Sequence, residues 1–209
     1  MYNKIKVLLL SNNDNSMELY NWLKQAEDVI IENFKDKLTI EYLKIKQPDI
    51  IISYNYKYII SENMISFINN MNVDILNMHI SYLPWNKGSD PNFWSFIDDT
   101  PKGVTIHRLE KGLDSGDILY QKLIKLDARK ETFQSSYNRL NEEIISLFCD
   151  NWEDIKYKNY KLIKQQEKGS YHKHKELQEI QTKVPFKWED NIAKYIEKYN
   201  KYYRHNNMK

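Results

Sequence analysis

Residues 75–94 read ILNMHISYLPWNKGSDPNFW. An apolar run ends on Asn77, Met78 and His79, and a loop with two prolines, a glycine, a lysine and two tryptophans follows. Glycine and proline number only five each in 209 residues, so their use here is informative. Period-two alternation puts the Asn77 and His79 side chains on one side of an extended backbone. In parallel α/β sheets, ligands sit beyond the carboxyl ends of the strands. This stretch has the form of such an end.

The surrounding chain agrees. Ile5–Leu10 is apolar apart from Lys6, the pattern of a parallel strand covered on both faces. SNNDNS follows as turn and N-cap chemistry, and Met17, Leu19, Tyr20 and Leu23 give a helical stripe. A short strand is predicted over Val29–Ile31, a helix over Leu38–Ile45 and a strand over Asp49–Ser53. A helix over Glu62–Asn70 and a strand over Asp74–Met78 complete the alternation. Strands alternating with helices predict an α/β fold, a Rossmann-like, mostly parallel sheet flanked by helices.

After residue 100 the pattern changes. Gly103–Glu110 and Asp117–Leu126 are two β-rich runs joined by KGLDSG, a hairpin-like extension of the sheet. A strong helix follows through Trp152, with Thr132 as its N-cap. Beyond it the chain is polar, with helices expected near Glu176–Thr182 and Trp188–Tyr203. The expected division is a catalytic domain over 1–150 and an extension over 151–209.

Composition narrows the function. With 41% hydrophobic residues the chain can build a core, and no apolar run approaches the roughly 18 residues of a membrane span. The N-terminus reads as a first strand rather than a signal peptide. A single cysteine, Cys149, excludes an internal disulfide framework and a Cys-based zinc site, and its helical context predicts a buried, inert thiol. A cytoplasmic protein is expected. Residues 1–150 hold 17 Lys and Arg against 21 Asp and Glu, whereas residues 151–209 hold 14 against 8. A basic, Tyr-rich tail suits a polyanion, but its interspersed acids favour a solvated surface or a dimer arm.

Asn77 and His79 carry the chemistry best. An amide can stabilise an oxyanion, and an imidazole beside it can move a proton. Asp114 and Asp117 are turn-forming residues, and either carboxylate could orient His79 as the acidic member of a triad does. Spacing does not choose between them. His107 reads as structural. The loop SNNDNS precedes a helix and suits phosphate, but it lacks the glycines of a dinucleotide fingerprint, which disfavours NAD and FAD. P-loop, Gly-x-Ser-x-Gly and His-Glu-x-x-His patterns are absent.

The combination NMHISYLPWNKG and GVTIHRLEKGLDSGDILYQ resembles the folate-dependent formyltransferase family. The signature is Asn-x-His, a Leu-Pro loop with a basic residue and glycine, then Asp-x-Gly-Asp-Ile, and it covers roughly residues 1–150. The resemblance implies 10-formyltetrahydrofolate as formyl donor, no metal, and an amine as acceptor. It selects Asp114 over Asp117. It implies that Asn77 polarises the formyl oxygen, that His79 takes a proton from the attacking amine and that Asp114 supports His79. The segments matching the family's pterin site are Tyr56–Ile60, with Tyr58 and Ile60, and Glu110–Asp114, with Glu110, Lys111 and Asp114.

Among branches of the family, the likeness is greatest to sugar-nucleotide N-formyltransferases. The tail does not resemble the β-barrel of methionyl-tRNA formyltransferase. Glycinamide ribonucleotide formyltransferase has a glycine-rich phosphate loop where SNNDNS stands, and a proline where Ile80 stands. The expected acceptor is therefore a nucleotide-linked amino sugar destined for bacterial surface polysaccharide. Asn12, Asn13, Trp85 and Lys87 are its expected contacts, whereas Trp94 reads as core. No nucleic-acid or membrane partner is expected, and a homodimer is the assembly the extension would serve.

Overall fold

The structure is a computed structural model that describes residues 4–166 and 168–206. Six strands form one sheet. In chain order they are β1 (Ile5–Leu10), β2 (Val29–Phe34), β3 (Ile50–Ser53), β4 (Asp74–His79), β6 (Gly103–Arg108) and β7 (Ile118–Leu123). Their spatial order is β2-β1-β3-β4-β6-β7. A separate two-stranded sheet pairs β5 (Lys87–Gly88) with β8 (Tyr171–His172). The helices are α1 (Ser16–Gln25), α2 (Ile40–Lys46), α3 (Glu62–Asn70), α4 (Pro91–Ile97), α5 (Phe133–Asp150), α6 (Trp152–Lys156), α7 (His174–Lys183) and α8 (Ile192–Asn206). Among them, no helix is long and apolar enough to cross a membrane.

The chain divides into two compact units. The first holds the residues through His79, Ile106–Tyr120 and Ile144–Gln165. The second holds Ile80–Thr105, Gln121–Glu143 and the residues from Gln166 onward.

In the first unit β1 to β4 are parallel, and their register aligns the carboxyl ends. Phe34 lies beside Leu10, Leu10 beside Ser53, and Ser53 beside Asn77. The apolar run of β3 is completely buried, as a strand covered on both faces must be. Leu8, Leu10, Leu43, Ile51, Ile68 and Ile75 form one core on which the parallel strands and α2 and α3 close. Burial of each such side chain contributes about 1.5–3 kcal/mol. Ile75 ties β4 into that core.

Local chemistry sets the boundaries that periodicity left approximate. The helix expected from Leu38 starts at Ile40, because the Thr39 hydroxyl accepts the Tyr42 N–H at 3.2 Å and caps it. It stops at Gln47, whose φ of 46° is left-handed, just before Pro48. β2 runs past Ile31 to Phe34 because β1 offers pairing along its whole length. Arg108 N–H donates to the Asp117 carbonyl at 2.8 Å, closing the turn between the expected β-runs.

In the second unit, Phe93, Trp94, Phe133, Ile180, Val184, Ile192 and Tyr195 form an aromatic-rich core. Trp94 is buried, as expected, and its ring stacks on His172 at 3.9 Å between centroids. Thr132 caps α5 by accepting the Ser135 N–H at 3.0 Å. Three elements here were not anticipated: β5, β8 and α4. Strands of two residues carry no periodic signal, and α4 begins on Asp90-Pro91, which reads as a turn. The last helix starts at Ile192 rather than near Trp188, because residues 187–190 form a turn in which the Asp190 carboxylate accepts the Lys187 N–H at 2.9 Å.

Candidate active site

Asn77, His79, His107 and Asp114 meet in the first unit, at the carboxyl end of β4. Asp114 and His79 are 9% and 8% exposed, and His107 is 1% exposed. A carboxylate buried this far is tolerable only with hydrogen-bonding partners. Asn77 Nδ2 donates to Asp114 Oδ1 at 3.2 Å. His107 Nε2 lies 3.5 Å from the same oxygen. The other oxygen, Oδ2, faces His79 Nε2 at 3.9 Å. That is longer than a hydrogen bond, and such contacts in ligand-free sites often tighten only when substrate binds. The rings of His79 and His107 stand perpendicular, with centroids 6.4 Å apart.

His107, which reads from sequence as structural, lies inside this cluster. Its Nδ1 is 2.8 Å from the Arg108 carbonyl, which can only accept, so Nδ1 carries a hydrogen. In the neutral ring Nε2 is then an acceptor, and the Asn77 amide nitrogen is 3.1 Å from it. No periodicity reveals this. The pairing between β4 and β6 brings the two residues together, and a single sequence does not state strand order.

The turn bearing Asp114 explains KGLDSG. Gly112 has φ of 94°, a conformation that favours glycine. Ser115 Oγ donates to the Lys111 carbonyl at 2.9 Å. Asp114 itself has φ of 49°, an uncommon left-handed conformation that Asp tolerates better than most residues. Lys111 pairs with Glu62 at 3.1 Å, bringing the turn beside the segment that ends at Ile60. Ile60 and Leu109 pack against the same core, while Ile59 and Leu113 are exposed. Tyr58 and Glu110 are half-buried and Lys111 is exposed.

These features coincide with a family match over residues 7–150, more than half of the chain. The chain belongs to the formyl transferase family. Among solved structures, this formyl transferase is similar to the formyltransferase PseJ from Anoxybacillus kamchatkensis. The identity is 35% and the TM-score 0.80, covering 91% of this chain and 97% of that one. That protein was solved in complex with UDP-4,6-dideoxy-4-formamido-L-AltNAc and tetrahydrofolate. A 4-N formyltransferase from Francisella tularensis shares the fold at 20% identity and a TM-score of 0.74, covering 84% of this chain and 79% of its own. A methionyl-tRNA formyltransferase from Fusobacterium nucleatum is 30% identical over 80% of this chain but 49% of its own length. The chain spans between 16% and 49% of the curated relatives it matches.

The other expected contacts are distributed over both units. Asn12, in the first unit, spends its amide on the protein. Its Nδ2 donates to the Lys35 carbonyl at 2.6 Å and its Oδ1 accepts the Lys57 N–H at 3.1 Å. Asn13 Oδ1 accepts the Asn15 N–H at 2.9 Å and shapes the turn before α1. Trp85 and Lys87 lie in the second unit, both half-buried. Lys87 is in β5, and its N–H donates to the Ser170 carbonyl at 3.0 Å. Gly169 comes so near that a Cβ there would sit 1.8 Å from the Pro84 carbonyl oxygen. Cys149 is half-buried, and burial pushes its thiol up to about 11, leaving it inert.

Proposed function

We propose that this chain transfers the formyl group of 10-formyltetrahydrofolate to the amine of a nucleotide-linked dideoxy amino sugar. The observation that carries the reading is the likeness to PseJ over nearly the full length of both chains. The curated methionyl-tRNA formyltransferases, by contrast, are matched in sequence over less than half their length. The grouping of Asn77, His79 and Asp114 supports it, because formyl transfer to an amine needs an oxygen-stabilising donor and a proton acceptor side by side.

In this proposal His79 takes the proton from the attacking amine. Asp114 Oδ2 faces the His79 ring and stabilises the imidazolium; as the bond between the formyl carbon and folate N10 breaks, the proton held on His79 passes to that departing nitrogen. Asn77 directs an amide hydrogen at the formyl oxygen once substrate draws it from its protein acceptors. Both hydrogens of Asn77 Nδ2 have protein acceptors, on Asp114 and His107, so the formyl oxygen takes the place of one of them. The residues also fit a folate. The Tyr58–Ile60 and Glu110–Asp114 segments are adjoined by the Lys111–Glu62 pair, with Ile59 and Leu113 exposed for a flat heterocycle to cover. Lys87 and Trp85 remain the proposed contacts to the sugar nucleotide, and Asn12 and Asn13 shape the loop on the first unit.

The proposed setting is the cytoplasm, where nucleotide sugars and reduced folates are pooled, and the product a formamido sugar for surface polysaccharide. A homodimer through residues beyond 150 is part of the proposal, and light scattering tests it. The activity is tested by incubating the protein with 10-formyltetrahydrofolate and UDP- and dTDP-linked amino sugars, reading the gain of one formyl group by mass spectrometry. Formylation of methionyl-tRNA in preference to every sugar nucleotide would overturn the acceptor class.

A further inference from the structure

The turn that carries Asp114 is held by a side chain beyond the residues that the formyl transferase family matches. Gln165 Nε2 donates to the Asp114 carbonyl at 2.9 Å and to the Gly116 carbonyl at 2.8 Å. Its place follows from strand register. Ile118 and Ile163 form an antiparallel bridge, with both N–H to carbonyl bonds made, at 2.8 and 2.9 Å. Two residues along each chain, Gln165 comes opposite Gly116. There the main-chain ladder gives way to the Gln165 amide, whose two hydrogens span two carbonyls.

The turn needs a hold of this kind. Asp114 sits in a left-handed conformation that persists only where surroundings impose it. Gly116 is pressed so close to β6 that a Cβ would stand 1.9 Å from the Arg108 carbonyl oxygen. Gln165 Oε1, meanwhile, is buried and has no hydrogen-bond partner among the described residues. A buried acceptor left unmade is a cost, so the side chain stands there for its two donors rather than for a balanced set of bonds.

We infer that Gln165 is a positioning residue: its amide fixes the left-handed turn at Asp114 and thereby aims the carboxylate at Asn77 and His79. The inference rests on the formyl-transfer reading and extends the catalytic machinery into residues 151–165, which belong to the same compact unit.

Gln165→Met keeps the side chain's length and removes both donors, whereas Gln165→Lys keeps donors. The test combines steady-state kinetics, each substrate varied in turn, with NMR of the Ser115 and Gly116 amides. In Gln165→Met, kcat falls on the order of tenfold to a hundredfold, as misplacement of a catalytic group does. Both KM values stay within about twofold, the mark of an interaction needed in the transition state. The Ser115 and Gly116 resonances shift and broaden, and Gln165→Lys recovers most of the lost turnover. Unchanged kcat, or unmoved resonances, overturns the inference. A fall in thermal midpoint that accounts for all the lost activity overturns it too, since that marks packing alone. If the wild-type protein formylates no sugar nucleotide, the functional reading fails, and the NMR comparison still decides whether Gln165 holds the turn.

Discussion

The His107 imidazole sets the direction in which the Asn77 amide faces. His107 Nδ1–H is committed to the Arg108 carbonyl at 2.8 Å, which in the neutral ring leaves Nε2 to accept from Asn77 at 3.1 Å. An amide rotated by 180° would instead place its oxygen against the lone pair of Nε2 and against the Asp114 carboxylate. Both contacts would be repulsive. The amide nitrogen therefore faces His107 and Asp114, and the protein alone sets the orientation of the Asn77 side chain.

Removing that acceptor should loosen Asn77. His107→Leu is expected to lower kcat by about fivefold to tenfold, the worth of one hydrogen bond of roughly 1 kcal/mol. His107→Gln, which offers an acceptor oxygen, should recover part of it. The comparison of the two variants under saturating substrates checks this, and equal loss in both would assign His107 to packing.

The central residues should matter far more. His79→Asn or Asp114→Ala is expected to reduce turnover by roughly two or more orders of magnitude, as general-base and electrostatic roles do. Folate binding, followed by fluorescence quenching, should persist in both. Near-normal turnover of folded His79→Asn would sink the mechanism.

The sequence carried much of this. The strand end at Asn77–His79 was legible because β4 is an apolar run with a polar terminus, and the parallel alternation was legible because β1 and β3 are buried on both faces. The Asn77, His79 and Asp114 set came from the family resemblance, since spacing alone left Asp114 and Asp117 equivalent. His107 was missed because its partner lies 30 residues away across a strand pair. Gln165 was missed because it stands in a polar stretch with no periodic pattern. Its role arises from register with β7, which only the folded chain reveals.

Acid should weaken the second unit through Glu143. Its carboxylate accepts from Lys122 at 2.5 Å and from Arg139 at 2.8 Å. The hydrogen bond from Lys122, aided by its charge and by Arg139, holds the carboxyl below its ordinary value, against the upward push of burial. A depressed carboxyl stabilises the fold when ionised, so its contribution is present at neutral pH and lost as the pH falls through the folded value. Both cations are partly exposed, which limits the effect to about 1 kcal/mol or less. The thermal midpoint of wild type should exceed that of Glu143→Gln at neutral pH and converge with it in acid. A difference that widens in acid would contradict the sign.

Lys87 tests the acceptor site. Lys87→Ala is expected to raise KM for the sugar nucleotide more than for the folate, since one charge-assisted contact to a diphosphate is worth about 1.5–3 kcal/mol. Kinetics with each substrate varied in turn check this, and equal effects on both would remove Lys87 from that site.

The most direct test of the account is mass spectrometry of the acceptor. The protein is incubated with 10-formyltetrahydrofolate and a UDP-linked 4-amino-4,6-dideoxy sugar, in parallel with His79→Asn and with methionyl-tRNA as a competing acceptor. The expected result is one formyl group gained by the sugar nucleotide, lost in His79→Asn and absent from the tRNA. Formyl-methionyl-tRNA with no formylated sugar nucleotide would contradict it.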